Sequence, residues 1–313
     1  FMEHCIDTLL ETVGLSRVNL IYSGGGHCYI LLPNTDKVKE QIKEVCGFIN
    51  RWRIDQFEAS LHLAMAYVEC SGNDLMNHPV EKSPYPNIFM QLSRQLSENK
   101  MNRYGAAEIR LLNKPAPNSS RECKICGKVS RLLNSKDICE WCEAFSSVSS
   151  AIFTSSIYVI THTAVPGLKG LRLPGIAGDV YLYFANKERA IELLKSGNAV
   201  RVYCKNAPCT GLSYANKIFV GDYAYSNLIS DLLTDTSGIK RIAVLRMDVD
   251  NLGLAFIKGF ERESQNAEVR YRYCTLSRMA AFSRQLSMFF KYYINLIMKE
   301  LNDGQNKVSI VYS

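Results

Sequence analysis

No stretch of the 313 residues approaches the ~18 uninterrupted apolar residues that a membrane-spanning helix needs. The opening Phe1-Met2-Glu3-His4 also lacks the basic and then apolar run of a secretory leader. These absences leave no expected membrane partner, and they set the context for eleven cysteines. Without secretory features, cysteine in such number points to a reducing, cytoplasmic setting, where it serves metals, packing or redox chemistry. Strong charge of either sign is missing too. The net charge of +7 is mild for this length and permits a polyanionic partner without demanding one. What remains is an ordinary globular composition, 47% hydrophobic and 21% charged, in a chain long enough for two or three domains. The first residue is not Met and the last ones, "VSIVYS", form an apolar strand-like run, so a segment of something longer is expected.

Apolar spacing predicts a helix over residues 1–13 (Cys5, Ile6, Leu9, Leu10, Val13) that ends at Gly14. A hairpin follows, Val18 to Ser23 and His27 to Leu32, then an amphipathic helix from Lys37 to Arg51. Ser60 to Cys70 reads as a buried strand, residues 71–87 as a loop, and Ile88 to Asn99 as helix. "NKPAPNSS" (113–120) is a linker signal, and a cysteine-rich insert occupies 121–149. Strands are predicted at Ile157 to Thr161, Asp179 to Phe184 and Ala199 to Cys204, with a helix at Lys187 to Leu194. "TDTSGIK" (234–240) marks a second boundary, before a strong strand at Arg241 to Val249. A long helix then carries Phe282, Leu286, Phe289, Tyr293, Ile297 and Leu301 on one stripe, and Met279, Phe282, Phe289 and Phe290 read as core.

The chain also resembles itself. At an offset of 290, Gly304, Val308, Tyr312 and Ser313 fall on Gly14, Val18, Tyr22 and Ser23, while Ile310 and Val311 fall on Leu20 and Ile21. Four identities in a short window also arise by chance. The shared order of amphipathic helix, glycine turn, apolar strand and Tyr-Ser is what suggests a duplicated fold.

Three motifs carry chemistry. "CKICG…CEWC" sets Cys123, Cys126, Cys139 and Cys142 as two C-x2-C knuckles twelve residues apart. Each knuckle presents two thiolates, Gly127 lets the backbone turn, and together they offer the closed four-sulfur shell of a structural Zn²⁺ site. The alternative is vicinal disulfides or free thiols. "RMDVDNLG" places Asp248 and Asp250 two residues apart at the end of a predicted strand, facing one side, where they suit Mg²⁺ shared with substrate phosphates. The alternative is a turn whose carboxylates cap the next segment. "LIYSGGGHCYILL" (20–32) has three glycines where a hairpin tip needs one or two. Bare glycine amides can approach a phosphate closely, but a tight turn with a bulge accounts for them equally. His27 stands where a metal-binding hairpin wants an acid, and His62, His78 and His162 stand apart as packing or surface residues. "GLKGLRLPG" (167–175) reads as a solvated loop, with a nucleic-acid contact as the alternative, and Cys204 and Cys209 receive no role.

Taken together, "LIYSGGGHCYILLPNT", the paired knuckles, "FVGDYA" (219–224), "VLRMDVDNLG", "TLSRMAAFSRQLSMFFKYYIN" and terminal "IVYS" resemble the large subunit of type III CRISPR effector complexes in its Csm (subtype A) form. The resemblance covers nearly the whole chain. It implies an α+β fold: two partial ferredoxin-like palm domains, related to nucleotidyl cyclases and GGDEF-type proteins, with a zinc-ribbon-containing domain between them. On that pattern residues 1–112 are the first palm without its opening strand, 113–235 the zinc-binding intermediate domain, and 236–313 the start of the second palm. Ser23-Gly24-Gly25-Gly26-His27 then corresponds to the family's degenerate hairpin, and the strand ending at Ser313 leads toward its acidic Gly-Gly-Asp-Asp hairpin.

The function so implied is adenylyl transfer from ATP to cyclic oligoadenylate, with Mg²⁺ or Mn²⁺, in antiviral defence. Asp248 matches the family's first metal ligand, Asp250 and the backbone of Asn251, Leu252 and Gly253 border metal and triphosphate, and Ser23 to Gly26 cradle a second nucleotide. Guide RNA, target RNA and other subunits are the implied partners, and nuclease activity is expected only in an HD domain outside these residues. Lacking the acidic hairpin, this segment by itself is expected to turn over nothing. The competing expectation is a non-catalytic palm and zinc scaffold for RNA and subunits. A free-standing diguanylate-cyclase relative fits less well, because those single-palm enzymes lack a zinc ribbon.

Overall fold

The computed structural model describes residues 1–113, 121–129, 132–212, 215–233, 239–304 and 306–311. The linker 114–120, most of "TDTSGIK", and Tyr312 and Ser313 lie outside them. The helices in chain order are α1 (Met2–Val13), α2 (Asp36–Phe57), α3 (Gly72–Leu75), α4 (Pro84–Met101), α5 (Ala106–Leu112), α6 (Glu140–Thr154), α7 (Lys187–Lys195), α8 (Leu252–Lys258), α9 (Ala267–Tyr271), α10 (Leu276–Met288) and α11 (Ile294–Asp303). The strands are β1 (Leu20–Gly24), β2 (His27–Ile30), β3 (Ile157–Thr161), β4 (Leu171–Gly175), β5 (Gly178–Ala185), β6 (Ala199–Lys205) and β7 (Ala215–Ile218). The class is α+β, as expected. Two compact units form: Phe1–Leu112 with Ala243–Ser287, and Asn113–Ile242 with Met288–Ser313. The expected second palm, 236–313, is therefore divided between them.

In the first unit, α1 ends where Gly14 turns left-handed (φ 80°). Its face of Cys5 and Leu9 packs on Val45 and Ile49 of α2, and β2 and residues 63–65 complete this core. The Thr35 hydroxyl caps α2 by accepting from the Val38 amide at 3.3 Å. The strand expected over 60–70 does not form. Leu63 instead gives its N–H to Asn50 Oδ1 (2.7 Å) and takes Asn50 Nδ2 on its carbonyl (2.9 Å), while Asn99 Nδ2 donates to the Met65 carbonyl at 2.6 Å. Two helix amides thus satisfy backbone groups that a neighbouring strand would otherwise take.

A second core joins Tyr85 and Phe89 of α4, Phe256 of α8, Cys274, and Met279 of α10. The hairpin is rooted in it. Tyr22 meets Phe256 at 5.0 Å, Tyr29 meets Phe89 at 5.4 Å, and Phe256 meets Phe282 at 5.5 Å, all tilted edge to face. The strand expected at Arg241 to Val249 is likewise absent. Its residues are exposed, Val244 at 88% and Leu245 at 81%, and no strand pairs with them among the described residues. An apolar alternating run becomes a strand only where a neighbour completes its hydrogen bonds.

The second unit is built on a five-stranded sheet ordered β4-β5-β3-β6-β7. β3 lies antiparallel to β5 and β6, so α7 crosses between parallel β5 and β6 with β3 inserted. Ile157 and Val159 face the core with Ala190 and Leu193 of α7, and Ile160 faces the opposite one with Leu173 and Tyr203. β4 corrects the reading of 167–175 as loop throughout. Leu171 and Leu173 are buried, and Pro174 is tolerated because β4 is an edge strand. Cys204 at the end of β6 and Cys209, to which the sequence assigned no role, form a disulfide. Phe289–Tyr293 forms a π-helical turn. Its wider turn shifts later side chains off the earlier face, so the predicted stripe does not hold. Phe282 and Leu286 pack inward, whereas Phe289, Tyr293, Ile297 and Leu301 are exposed and Ile294 is buried.

The chain's terminal copy of the repeat sits in a different setting from the first. β1 pairs with β2, but Val308 to Ile310 hydrogen-bonds with Tyr223 to Tyr225: Ile310 N to Tyr223 O at 2.7 Å and Tyr225 N to Val308 O at 3.2 Å. The first copy has a partner strand across its turn. The last copy has none within these residues and takes another backbone instead.

Candidate nucleotide and metal sites

The four knuckle cysteines come together, their sulfurs all within 4.8 Å of one another. Gly127 takes φ 66° and donates to the Cys123 carbonyl at 2.8 Å, which closes the first knuckle. The second opens α6, whose first turn carries Cys142. Cys126 Sγ lies 3.8 Å from Cys139 Sγ. A tetrahedron with Zn–S bonds of ~2.3 Å has edges of about 3.8 Å, so the spacing fits zinc. Cys123, Cys139 and Cys142 are buried and Cys126 is exposed. The N–H groups of Cys126 and Cys139 draw the Cys123 thiol down to about 6, while burial pushes the Cys126 and Cys142 thiols up. As thiolates, four sulfurs crowded this way would repel one another. A divalent cation would offset that charge, and a closed four-sulfur shell around it would be structural.

The glycine hairpin resolves residue by residue. Gly24 pairs with His27, leaving Gly25 (φ 56°) and Gly26 (φ 77°) as a two-residue tip, both left-handed. Gly24 is needed for a different reason, because a Cβ there would sit 2.9 Å from the Tyr22 hydroxyl. His27 Nδ1 lies 3.1 Å from the Gly25 carbonyl, and Gly25 to His27 are exposed. Below the tip, Ser23 Oγ donates to Glu3 Oε1 at 3.3 Å, and Ser287 Oγ donates to the Ser23 carbonyl at 3.3 Å. Arg17 pairs with Glu3 at 2.7 Å and forks the buried Asp7 at 2.8 Å. Sequence reasoning missed this support, since Glu3 lies on α1 with no local motif to mark it. Burial, with Glu3 and Cys5 adding, pushes the Cys28 thiol up to about 11, so it stays protonated.

Asp248 and Asp250 are exposed, and Asp248 Oδ1 accepts from the Val249 amide at 2.9 Å. Neither lies at the end of a buried strand, which corrects that part of the expectation. Asn251 turns left-handed (φ 56°) ahead of α8. Leu252 packs its side chain into the aromatic core, and a Cβ on Gly253 would meet open space. Among the described residues no third carboxylate or histidine joins the two aspartates in a ligand cluster. Two solvent-facing carboxylates still suit Mg²⁺, which commonly takes one or two and completes its shell with phosphates and water. The Tyr22–Phe256 contact places the hairpin and the segment following the aspartates on one aromatic cluster of one unit.

Comparison with known proteins gives this arrangement its class. Residues 1–115 match the family described as Csm1 subunit domain B, and residues 241–313 match the second palm domain of Cas10/Cmr2. A curated relative from Mycobacterium tuberculosis, "CRISPR system single-strand-specific deoxyribonuclease Cas10/Csm1 (subtype III-A)", is 38% identical over 311 residues, 95% of this chain and 37% of that protein. Its counterpart from Enterococcus italicus is 33% identical across 100% of this chain and 39% of that protein. Among solved structures, a Csm1–Csm4 cassette in complex with pppApA superposes with a TM-score of 0.62 at 20% identity, over 95% of this chain and 35% of that one. The same cassette with one ATP gives 0.62 at 19% identity, over 94% and 35%, and with cA4 it gives 0.59 at 19%, over 95% and 35%. These are palm-containing CRISPR large subunits. The chain belongs to their Cas10/Csm1 family, subtype III-A, and spans about two-fifths of the length of the curated relatives it matches.

Proposed function

We propose that this chain is the palm and zinc portion of a type III-A large subunit whose whole protein makes cyclic oligoadenylates from ATP once target RNA is bound. The observation that carries the reading is the shared seating of the glycine hairpin and the Asp248–Gly253 segment on the Tyr22–Phe256 cluster. Relatives of this fold solved with ATP, cA3 and cA4 support it. In this reading residues 1–112, 113–235 and 236–313 are first palm, zinc-binding domain and the opening of the second palm.

The chain's own part is to bind and orient. The exposed Gly25 and Gly26 amides, bare of side chains, accept close approach of a phosphate, and Ser23 is held beneath them by Glu3. Asp248 and Asp250 direct carboxylates toward the second triphosphate, bordered by the backbone of residues 251–253. Held there, Mg²⁺ or Mn²⁺ would neutralise charge on the triphosphate and favour loss of the 3′-hydroxyl proton. The 3′-oxygen of one ATP bonds to the α-phosphorus of the next, the bond to the β-phosphate breaks, and pyrophosphate leaves. Zinc in the four-cysteine module is structural. Guide RNA, target RNA and neighbouring subunits are the partners, and nuclease chemistry belongs to parts of the protein outside these residues.

One observation favours a second reading, an RNA- and subunit-binding scaffold: the hairpin tip has the plain geometry of a two-residue turn and carries no acid. The intact complex with guide and target RNA, ATP and Mg²⁺ separates the two. Chromatography should reveal cyclic adenylate products. Their absence from a complex shown to hold target RNA would leave only the scaffold.

A further inference from the structure

Past α8 the sequence "ERESQNAEVRYRYCTLSR" concentrates arginine. Three of these guanidiniums converge on a single ring. Arg278 lies 4.0 Å from the centroid of Tyr273, Arg262 lies 4.2 Å from it, and Arg272 lies 5.9 Å from it. The backbone makes the meeting: the Arg262 amide donates to the Arg270 carbonyl at 2.9 Å, folding residue 262 back against the turn that carries Arg272 and Tyr273. Arg262 is flanked by two acids: Glu261 is taken by Arg270, which bonds it through Nε (3.1 Å) and Nη2 (2.9 Å), and Glu263 is exposed. No ion pair reaches Arg262, Arg272 or Arg278 among the described residues. All three are exposed, whereas Tyr273 is half-buried.

Their distances to one ring place any two of the cations within about 10 Å, comparable to the ~8–10 Å screening length at physiological salt. They therefore act together, and no ion pair among the described residues offsets their repulsion. Cation–π attraction to the ring steadies the guanidiniums, which remain exposed, and each carries a planar fork of N–H donors. A partner for this arrangement must bring several negative charges in a row, presented as oxygens that accept paired donors. A nucleic-acid strand does so: at ~3.4 Å of rise per nucleotide, about 10 Å covers roughly three phosphates.

We propose that Arg262, Arg272 and Arg278, gathered on Tyr273, form a contact for the phosphodiester backbone of a single nucleic-acid strand. None of these residues belongs to the nucleotide site above. The proposal is tested by strand binding and not by product, so it stands or falls apart from the nucleotidyl-transfer reading. Fluorescence anisotropy of a labelled single-stranded RNA, and of DNA of the same sequence, would be followed across salt for the protein and its Arg262→Gln/Arg272→Gln/Arg278→Gln variant. Losing three phosphate contacts should weaken binding at least tenfold and flatten the plot of log affinity against log salt by about 2. Arg94→Gln, which removes an arginine paired with Glu98 on α4, should leave both unchanged. Loss on either strand supports the contact, and comparing RNA with DNA identifies its source. No strand binding by the parent protein would overturn it. So would unchanged affinity and slope in a triple variant that melts like the parent, or a loss matched by Arg94→Gln.

Discussion

Cys139 is wholly buried beside three other sulfurs, and its amide also donates to Cys123 Sγ at 3.3 Å. Serine at Cys123 keeps the shape but removes a soft, ionisable ligand, and structural zinc commonly supplies the folding energy of such a module. We expect one zinc per chain by elemental analysis, and for Cys123→Ser loss of that zinc with a lower melting temperature. A well-folded, zinc-free parent protein would contradict the site. The gathering of these four cysteines was legible, because two knuckles at ribbon spacing bring their sulfurs together. The hairpin was legible only in part. Its three glycines showed a turn, but the division of labour did not show: Gly25 and Gly26 serve left-handed backbone, while Gly24 makes room for Tyr22. The Cys204–Cys209 disulfide left no readable signal, since neither cysteine sits in a paired motif.

Among the elements, α11 is fastened by one side chain. Asn295 Oδ1 accepts from the Asp222 and Tyr223 amides at 2.9 Å each, and its Nδ2 donates to the Val220 carbonyl at 2.8 Å. Phe219 packs on Tyr292 at 5.4 Å, and the buried Lys205 pairs with Asp222. The "FVGDYA" segment is thus held to the helix largely through backbone groups, of which the Val220 carbonyl also accepts from Asn206 Nδ2 at 2.8 Å. Asn295→Ala should cost about 2–3 kcal/mol in chemical denaturation, because it strands partly buried amides as well as deleting bonds. A loss below about 0.5 kcal/mol would show that water replaces the amide freely. Periodicity located α1, α2, α4, α7, the long helix now seen as α10 and α11, and β3, β5 and β6. It missed α5, α6 and α9 and read 71–87 as loop, where α3 and the start of α4 form. It failed where partners decide. The 60–70 run met helix amides in place of a strand, 241–249 met no partner strand among the described residues, and "GLKGLRLPG" hid β4 because only Leu171 and Leu173 alternate within the strand itself, while Leu168 before it is exposed.

For the whole molecule, the internal repeat suggested two related palms, yet its two copies occupy different settings here. The family link rests on stronger ground, the relatives' identity along nearly the full chain. The compact units also cross the expected domain order, since Ala243–Ser287 folds with the first 112 residues. Long-range packing of this kind is set by aromatic contacts such as Tyr22–Phe256, whose partners lie more than 200 positions apart and share no local pattern. In the proposed reading this unit presents Asp248 to a nucleotide held near the glycine hairpin. The most direct measurement compares the intact complex with its Asp248→Ala form for cyclic adenylate synthesis and target-RNA affinity side by side. Synthesis should fall by about a hundredfold or more with RNA affinity unchanged. Synthesis at the parental rate by a complex still bound to target RNA would contradict it.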